Sequence, residues 1–295
     1  MNPIKKIVIG IVLVCTTGLF VYSTSKKVVL LDKVESFVLP STIDFANEKT
    51  PLHIVDVRER LDREMVINTN LHSTTTLILK RANRVFPIIE PILAKYGIPD
   101  DFKYLAVIES GLVNVVSPAG ARGVWQFMPL TAKEKGMEVN DLIDERYHLE
   151  KSTEAACKYL LEAKNKFGSW TLAAAAYNGG MGGINKQIEN QKVSDYYDLL
   201  LTEETSRYVF RILALKEIMK NPVKYGFDIP TEQLYHPIET KKIEVDSTIT
   251  DLAVFAKGLG INYKILKLHN PWLRDKKLDN KAKKLYVLEI PTEGY

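Results

Sequence analysis

Apolar positions along this chain recur mostly at helical spacing. In "FKYLAVIESGL" (102–112), Phe102, Leu105 and Glu109 fall at i, i+3 and i+7, one stripe of a 3.6-residue period. Asp100 and Asp101, after Pro99, predict where this helix starts, and Gly111 where it ends. A glutamate thus stands on an otherwise apolar stripe, in the last turn. "STTTLILKRANRVFPIIEPILAKYG" predicts a helix opening at Ser73/Thr74 and stopping at Gly97, with Pro87 and Pro91 expected to break or kink it. "KSTEAACKYLLEAKNKFG" (151–168), "SWTLAAAAYNGG" (169–180) and "EETSRYVFRILALKEIMKN" (203–221) each predict a helix with a cap or a glycine stop. The segment between Gly111 and Glu150 is long and rich in turn residues. Upstream, residues 24–75 mix short apolar patches with Pro40, Pro51 and many charges, and "DVRERLDREMVINTN" (56–70) has helical character.

After Tyr225 the pattern changes. "YGFDIPTEQLYHP" reads as a linker, and the remainder predicts a short strand, two short helices and a closing strand. The fold expected is mainly α, with a small C-terminal βααβ module. The chain divides into a leader (1–25), a stalk or wrapping arm (26–72), a helical domain (73–225), a linker (226–238) and the module (239–295).

The leader changes the picture. Lys5 and Lys6 precede an uncharged, mostly apolar run from Ile7 to Tyr22, and Lys26 and Lys27 follow it. Such a run predicts an export signal or an N-terminal membrane anchor, with small residues in "VYSTS" (21–25) suited to cleavage. Lipid attachment at Cys15 is disfavoured, because Val14 is not small and the apolar run continues past the cysteine. The leader thus implies export or membrane anchoring.

Composition excludes several function classes. A formal charge of +4 is too weak to argue for nucleic acid, and neither a Gly-rich phosphate loop nor an RNA-reading aromatic signature is present. Two cysteines and five scattered histidines give no metal-ligand spacing, so neither metal nor cofactor is expected. Cys157, inside a helical pattern, reads as a small buried hydrophobe.

Candidate chemistry gathers around Glu109. Desolvation and the negative end of the helix dipole both disfavour its ionised form, which would make it a general acid near neutral pH; the alternative is a glutamate at the edge of the stripe, reaching water with its stem. Four further stretches accompany it. In "SPAGARGVWQFMP" (117–129) Pro118, Gly120 and Gly123 force irregular backbone, and Gln126 either satisfies nearby backbone or faces a ligand. In "AAAAYNGG" (173–180) four alanines allow close packing before Tyr177 and Asn178; the asparagine is a helix stop or a donor aimed into a cleft. Tyr208 in "EETSRYVFR" carries a hydroxyl that must find a partner if buried, and most such tyrosines are core with a wet tip. Asp144, Glu145 and Arg146 form a structural charge network or offer a second carboxylate.

"YLAVIESGL", "SPAGARGVWQFMP", "AAAAYNGG" and "EETSRYVFRILALKEI", in this order, resemble the soluble lytic transglycosylase domain of peptidoglycan-cleaving enzymes, most closely the membrane-bound lytic murein transglycosylase D type. "DSTITDLAVFAKGLGINYKILKLHNPWL" with "LYVLEIP" is similar to a LysM repeat, although the usual Gly-Asp before its first helix reads Val-Asp-Ser-Thr here. The resemblance implies a lysozyme-like α domain with Glu109 as catalytic acid and Ser117, Gln126, Met128, Tyr177, Asn178 and Tyr208 in the cleft. One departure is "GVWQ", where many relatives read Gly-Leu-Met-Gln; the bulkier Trp125 is expected to alter packing beside the cleft. The implied partner is the peptidoglycan glycan strand; with the leader, this cell-wall substrate makes the expected location periplasmic or at an envelope membrane. The implied reaction cleaves its β-1,4 bond without water and leaves 1,6-anhydro-N-acetylmuramic acid ends. Hydrolysis of the same bond, lysozyme fashion, and non-catalytic peptidoglycan binding are the alternatives.

Overall fold

The computed structural model describes residues 37–293; the leader, Cys15 and the first part of the 26–72 arm lie outside them. From Pro40 onward the arm belongs to the folded body. A two-residue hairpin pairs β1 (Asp44–Phe45) with β2 (Glu48–Lys49) and buries Phe45 edge-on against Phe102 at 4.9 Å. Helix α1 (Val55–Asn70) and α2 (His72–Lys95) follow. Next comes the short α3 (Lys103–Ser110), and after a second small hairpin the short α4 (Pro129–Glu134). Helices α5 (Leu149–Phe167), α6 (Trp170–Gly179), α7 (Met181–Gln191) and α8 (Glu203–Lys220) complete the helical part.

The longest apolar burial is on α8. Val209, Phe210, Ile212, Leu213 and Ala214 are all inaccessible, because α1, α3 and α6 pack on different sides of it. A helix covered on several faces needs apolar residues nearly all round, which is the pattern of "YVFRILAL". Ala173 to Ala176 are equally buried, and these small side chains let α6 pack closely on its neighbours α5 and α8.

Two local expectations are corrected. Helix α2 is not broken at Pro87 or Pro91 but runs unbroken to Lys95. Ile78 and Ala82 before the prolines, and Ile89 and Leu93 after them, are all buried, so one stripe stays in the core throughout. That burial outweighs the roughly 3 kcal/mol a helix-interior proline costs. Nor do Asp100 and Asp101 cap α3, which is entered through a 3-10 turn (Asp100–Phe102). Asp101 is instead buried, its Oδ2 accepting from Lys216 Nζ at 2.6 Å and from Ala46 N at 2.8 Å. It ties the arm, α3 and α8 together.

At the C-terminal end, β5 (Thr240–Val245) pairs antiparallel with β6 (Tyr286–Pro291) across α9 (Leu252–Gly258) and α10 (Tyr263–His269), giving the βααβ order. Asp251 and Asn262 cap the two helices through their side-chain oxygens. The module does not hang free. Trp272 O accepts from Asp144 N at 2.9 Å, Arg274 N donates to Leu142 O at 2.7 Å, and Ile143 and Tyr147 are buried in the module's own core. The preceding 226–238 stretch lies along α2: Tyr235 N donates to Lys80 O, and Arg84 Nε to His236 O.

Candidate active site

Glu109 sits in the last turn of α3, which ends at Gly111 in the left-handed conformation with φ 61° and its N–H on Val107 O. The carboxyl meets α8 side-on. Tyr208, buried, donates its hydroxyl to Glu109 Oε1. Arg211, one turn further along α8, donates Nη2 to Ile108 O at 2.9 Å and closes the C-terminal end of α3. Burial is the largest influence on Glu109 and raises its pKa to about 7. The Tyr208 hydrogen bond and the Arg211 charge pull the other way, while the Glu204 carboxylate adds to the rise. Burial, with Glu109 next, pushes the Tyr208 hydroxyl far above 10, so it stays a donor.

Tyr177 stands on α6, ringed by Trp125, Phe127 and Tyr159 with centroids 6.4, 5.8 and 5.3 Å away. Its hydroxyl donates to Trp125 O at 2.8 Å, joining α6 to the loop that carries Gln126. Asn178 is not the helix stop; Gly180, with φ 72°, is. The asparagine spans to the start of α8 instead, donating Nδ2 to Glu204 Oε1 at 3.0 Å and accepting from Thr205 Oγ1 at 2.7 Å.

The position of α6 depends on the arm. Glu48 reaches the N-terminus of that helix and accepts from Trp170 N at 2.6 Å, Thr171 N at 2.8 Å, Ser169 Oγ at 2.9 Å and Thr171 Oγ1 at 2.5 Å. Burial works against its charge, yet these bonds together hold its pKa below the ordinary carboxylate value.

The irregular loop is a hairpin, β3 (Val115–Val116) against β4 (Arg122–Gly123). Ser117 is used within it, its N–H donating to Ala121 O and its Oγ accepting from Ala121 N at 3.0 Å. Gly123 has φ +84°, and a β-carbon there would lie 1.9 Å from Arg146 O, so only glycine fits. Gln126 adopts φ 50°, unusual for a residue with a side chain. Its Nε2 donates to Gly123 O at 2.7 Å and Val115 O at 3.1 Å, which is the backbone-satisfying alternative. Its amide oxygen carries no bond among the described residues. Met128 is 43% exposed at the entry to α4. Trp125 is turned inward, wholly buried, with Nε1 on Thr153 Oγ1 at 2.9 Å. The structure thus brings Glu109 and Tyr208 into contact, and Tyr177 and Asn178 onto the adjoining helix end. Ser117, Gln126 and Met128 belong to the loop that Tyr177 anchors.

Asp144 and Arg146 make a buried two-pronged ion pair, with Nε–Oδ1 and Nη2–Oδ2 both 2.8 Å, and Lys151 pairs with Glu145. This is the structural network, and its carboxylates hold the loop. Cys157 is buried, its thiol pushed up to about 12 by desolvation. No cluster of histidine, cysteine and carboxylate suited to a metal occurs among the described residues.

Glu204, Thr205 and Arg211 were not singled out from sequence. The signal was there: Glu204, Tyr208 and Arg211 stand at i, i+4 and i+7 of α8, one face of the helix.

Two family models match the chain: the transglycosylase SLT domain over residues 87–200 and the soluble lytic transglycosylase C-terminal LysM-like domain over 241–294. The membrane-bound lytic murein transglycosylase D of Escherichia coli strain K12 is 30% identical over 220 residues, covering 72% of this chain and 47% of that protein. This chain therefore spans about half the length of that relative. The peptidoglycan transglycosylase gp16 of Escherichia phage T7 is 34% identical over 128 residues, 42% of this chain and 9% of the phage protein. The solved lytic transglycosylase Slt of Pseudomonas aeruginosa aligns at TM-score 0.37 and 18% identity, over 51% of this chain and 26% of that one. The chain carries a transglycosylase SLT domain over residues 87–200 and a LysM-like domain of the soluble lytic transglycosylase type over residues 241–294.

Proposed function

We propose that this protein is a peptidoglycan lytic transglycosylase that cuts the β-1,4 bond between N-acetylmuramic acid and N-acetylglucosamine without water. The observation that carries this is the state of Glu109: a carboxyl whose pKa burial raises to about 7, with one oxygen already taken by Tyr208. In this mechanism Tyr208 occupies Oε1, and the proton that Glu109 gives to the substrate is carried on Oε2. In the first step Oε2–H protonates the glycosidic oxygen. The C1–O bond breaks as the muramic acid's own acetamido oxygen attacks C1. In the second step the Glu109 carboxylate takes the proton from the C6 hydroxyl. O6 then displaces the acetamido oxygen at C1 and closes the 1,6-anhydro ring. Proton and leaving group balance, and the acid is restored. General acid–base help of this kind contributes about 10²–10⁴ in rate.

A two-carboxyl glycosidase needs its second group poised as nucleophile or base. Glu204 is exposed and bonded to Asn178, and in this mechanism its charge helps hold the proton on Glu109. Asn178 and Ser117 orient the acetamido group, Gln126 and Met128 line the sugar subsites, and Tyr177 fixes the loop against α6. The substrate is the peptidoglycan glycan strand, which the LysM-like domain also engages, and the protein works in the cell envelope. That placement rests on the leader and on a relative named as membrane-bound. No helix among the described residues is long and apolar enough to cross a membrane.

The test is digestion of purified sacculi by the wild-type chain and by Glu109→Gln, with the fragments weighed. Anhydro ends from the wild type and none from the variant are expected. Reducing ends, one water heavier, would make the protein a hydrolase; wild-type turnover by the variant would remove Glu109 from the mechanism.

A further inference from the structure

A cavity of about 600 Å³ opens between α1 and α8 beside the site. Glu204 and Arg211 line it from α8, and Ile67, Asn68 and Leu71 from the end of α1. Its other charges are already paired. Glu64 is buried and holds Arg207 at 2.7 Å, and Glu203 holds Arg63 at 3.2 Å. Glu204 and Arg211 differ. The Glu204 carboxylate accepts only the Asn178 amide, and the Arg211 guanidinium donates only to Ile108 O; neither has an ion-pair partner among the described residues. They stand seven residues apart on one helix, about 10 Å along its axis, with Tyr208 between them in sequence. Through Ile108 and Asn178 they touch the immediate neighbours of Glu109 and Tyr177.

An open anionic group and an open cationic group lining one cavity suit a ligand carrying both charges. No aromatic ring lines the cavity, so it lacks the stacking surface a sugar would use. We infer that this cavity is a subsite for the stem peptide of the substrate, with Arg211 receiving a peptide carboxylate and Glu204 the free amine of its diamino acid. The inference rests on the proposed transglycosylase function, since in peptidoglycan the peptide hangs from the muramic acid whose bond Glu109 cuts. A guanidinium can grip a carboxylate through two parallel bonds, which makes Arg211 the stronger anchor. Strands bearing peptides are then preferred over stripped ones.

Two measurements test this. The first is calorimetric titration of the full-length chain with a soluble stem tripeptide ending in a diamino acid. Binding is expected, weakened about tenfold in Arg211→Gln and in Glu204→Gln, the loss of one charge-assisted contact. No binding by the wild type, or unchanged binding by both variants, overturns the inference. The second compares kcat/KM on glycan strands with and without peptides, taken as a ratio within each protein, so that any effect of the substitutions on Glu109 cancels. The wild type should favour peptide-bearing strands and the variants should lose that preference. Equal ratios in all three overturn the subsite and leave the transglycosylase standing. Absence of turnover on either strand would sink the enzyme, and the titration would still decide the cavity.

Discussion

Replacing Glu109 with glutamine should stabilise the protein, and only where the carboxyl would be charged. Folding raises this group from the ordinary 4.5 to about 7. At about 1.4 kcal/mol for each tenfold change in proton affinity, the ionised side chain costs the fold about 3 kcal/mol. Below pH 4.5 both folded and unfolded chains hold the proton and nothing is lost. As pH rises from 4.5 to 7 the unfolded chain releases its proton while the folded one keeps it, and the stability contributed by the proton disappears. Above 7 the loss is complete. Glutamine keeps an oxygen for the Tyr208 hydroxyl and carries no charge, so it escapes this trend. Denaturant titrations of both proteins at pH 4.5 and pH 8 read the difference. The variant's advantage should be larger at pH 8 by up to about 3 kcal/mol, or about 6 °C in Tm. If the two proteins change in parallel across this range, the carboxyl is not held protonated by its surroundings, and its part as resting acid fails with it.

Further outcomes follow from the same geometry. Tyr208→Phe removes a bond that favours ionised Glu109, worth about 1.5 kcal/mol, so the pH at which kcat/KM falls on the alkaline side should move up by about one unit; a limb that stays put or moves down contradicts the assignment. Gly123→Ala places a methyl on the Arg146 carbonyl at a φ of +84° and should cost about 3 kcal/mol or more in a urea titration. A neutral result there would mean the loop is held differently. Glu48→Ala leaves the Trp170 and Thr171 amides at the start of α6 without their acceptor and should cost about 1–2 kcal/mol at neutral pH. Because the Glu48 pKa is lowered on folding, that difference should shrink as the solution is acidified through it.

Much of the helical framework was legible because periodicity and stop signals coincide. Gly111 and Gly168 end their helices in left-handed backbone, and Ser169 caps the next one, where the sequence predicts each. The elevated pKa of Glu109 was legible too, since a carboxyl on an apolar stripe has few routes to water. What escaped is long-range. Asp101 looks like a local cap, but its partners lie 55 and 115 residues away. Pro87 and Pro91 look like breaks, and only the burial of Ile89 and Leu93 beyond them shows why they are not. Glu48 sits in a stretch that reads as a stalk, yet it holds the helix bearing Tyr177 and Asn178. Glu204 was overlooked because an exposed glutamate in a first helical turn is ordinary in any sequence; only Asn178 across the gap distinguishes it.

The bridge between Ile143 and Leu273 has a bearing on how the molecule is made. Residues 142–147 bury Ile143 and Tyr147 among side chains synthesised some 130 positions later. A growing chain emerging N-terminus first cannot finish that region until the residues around Leu273 exist. The loop holding Gln126 leans on the same region through Gly123 and Arg146, so the acid's surroundings mature late. The candidate acid would thereby reach its final setting only after the residues around Leu273 have joined the fold.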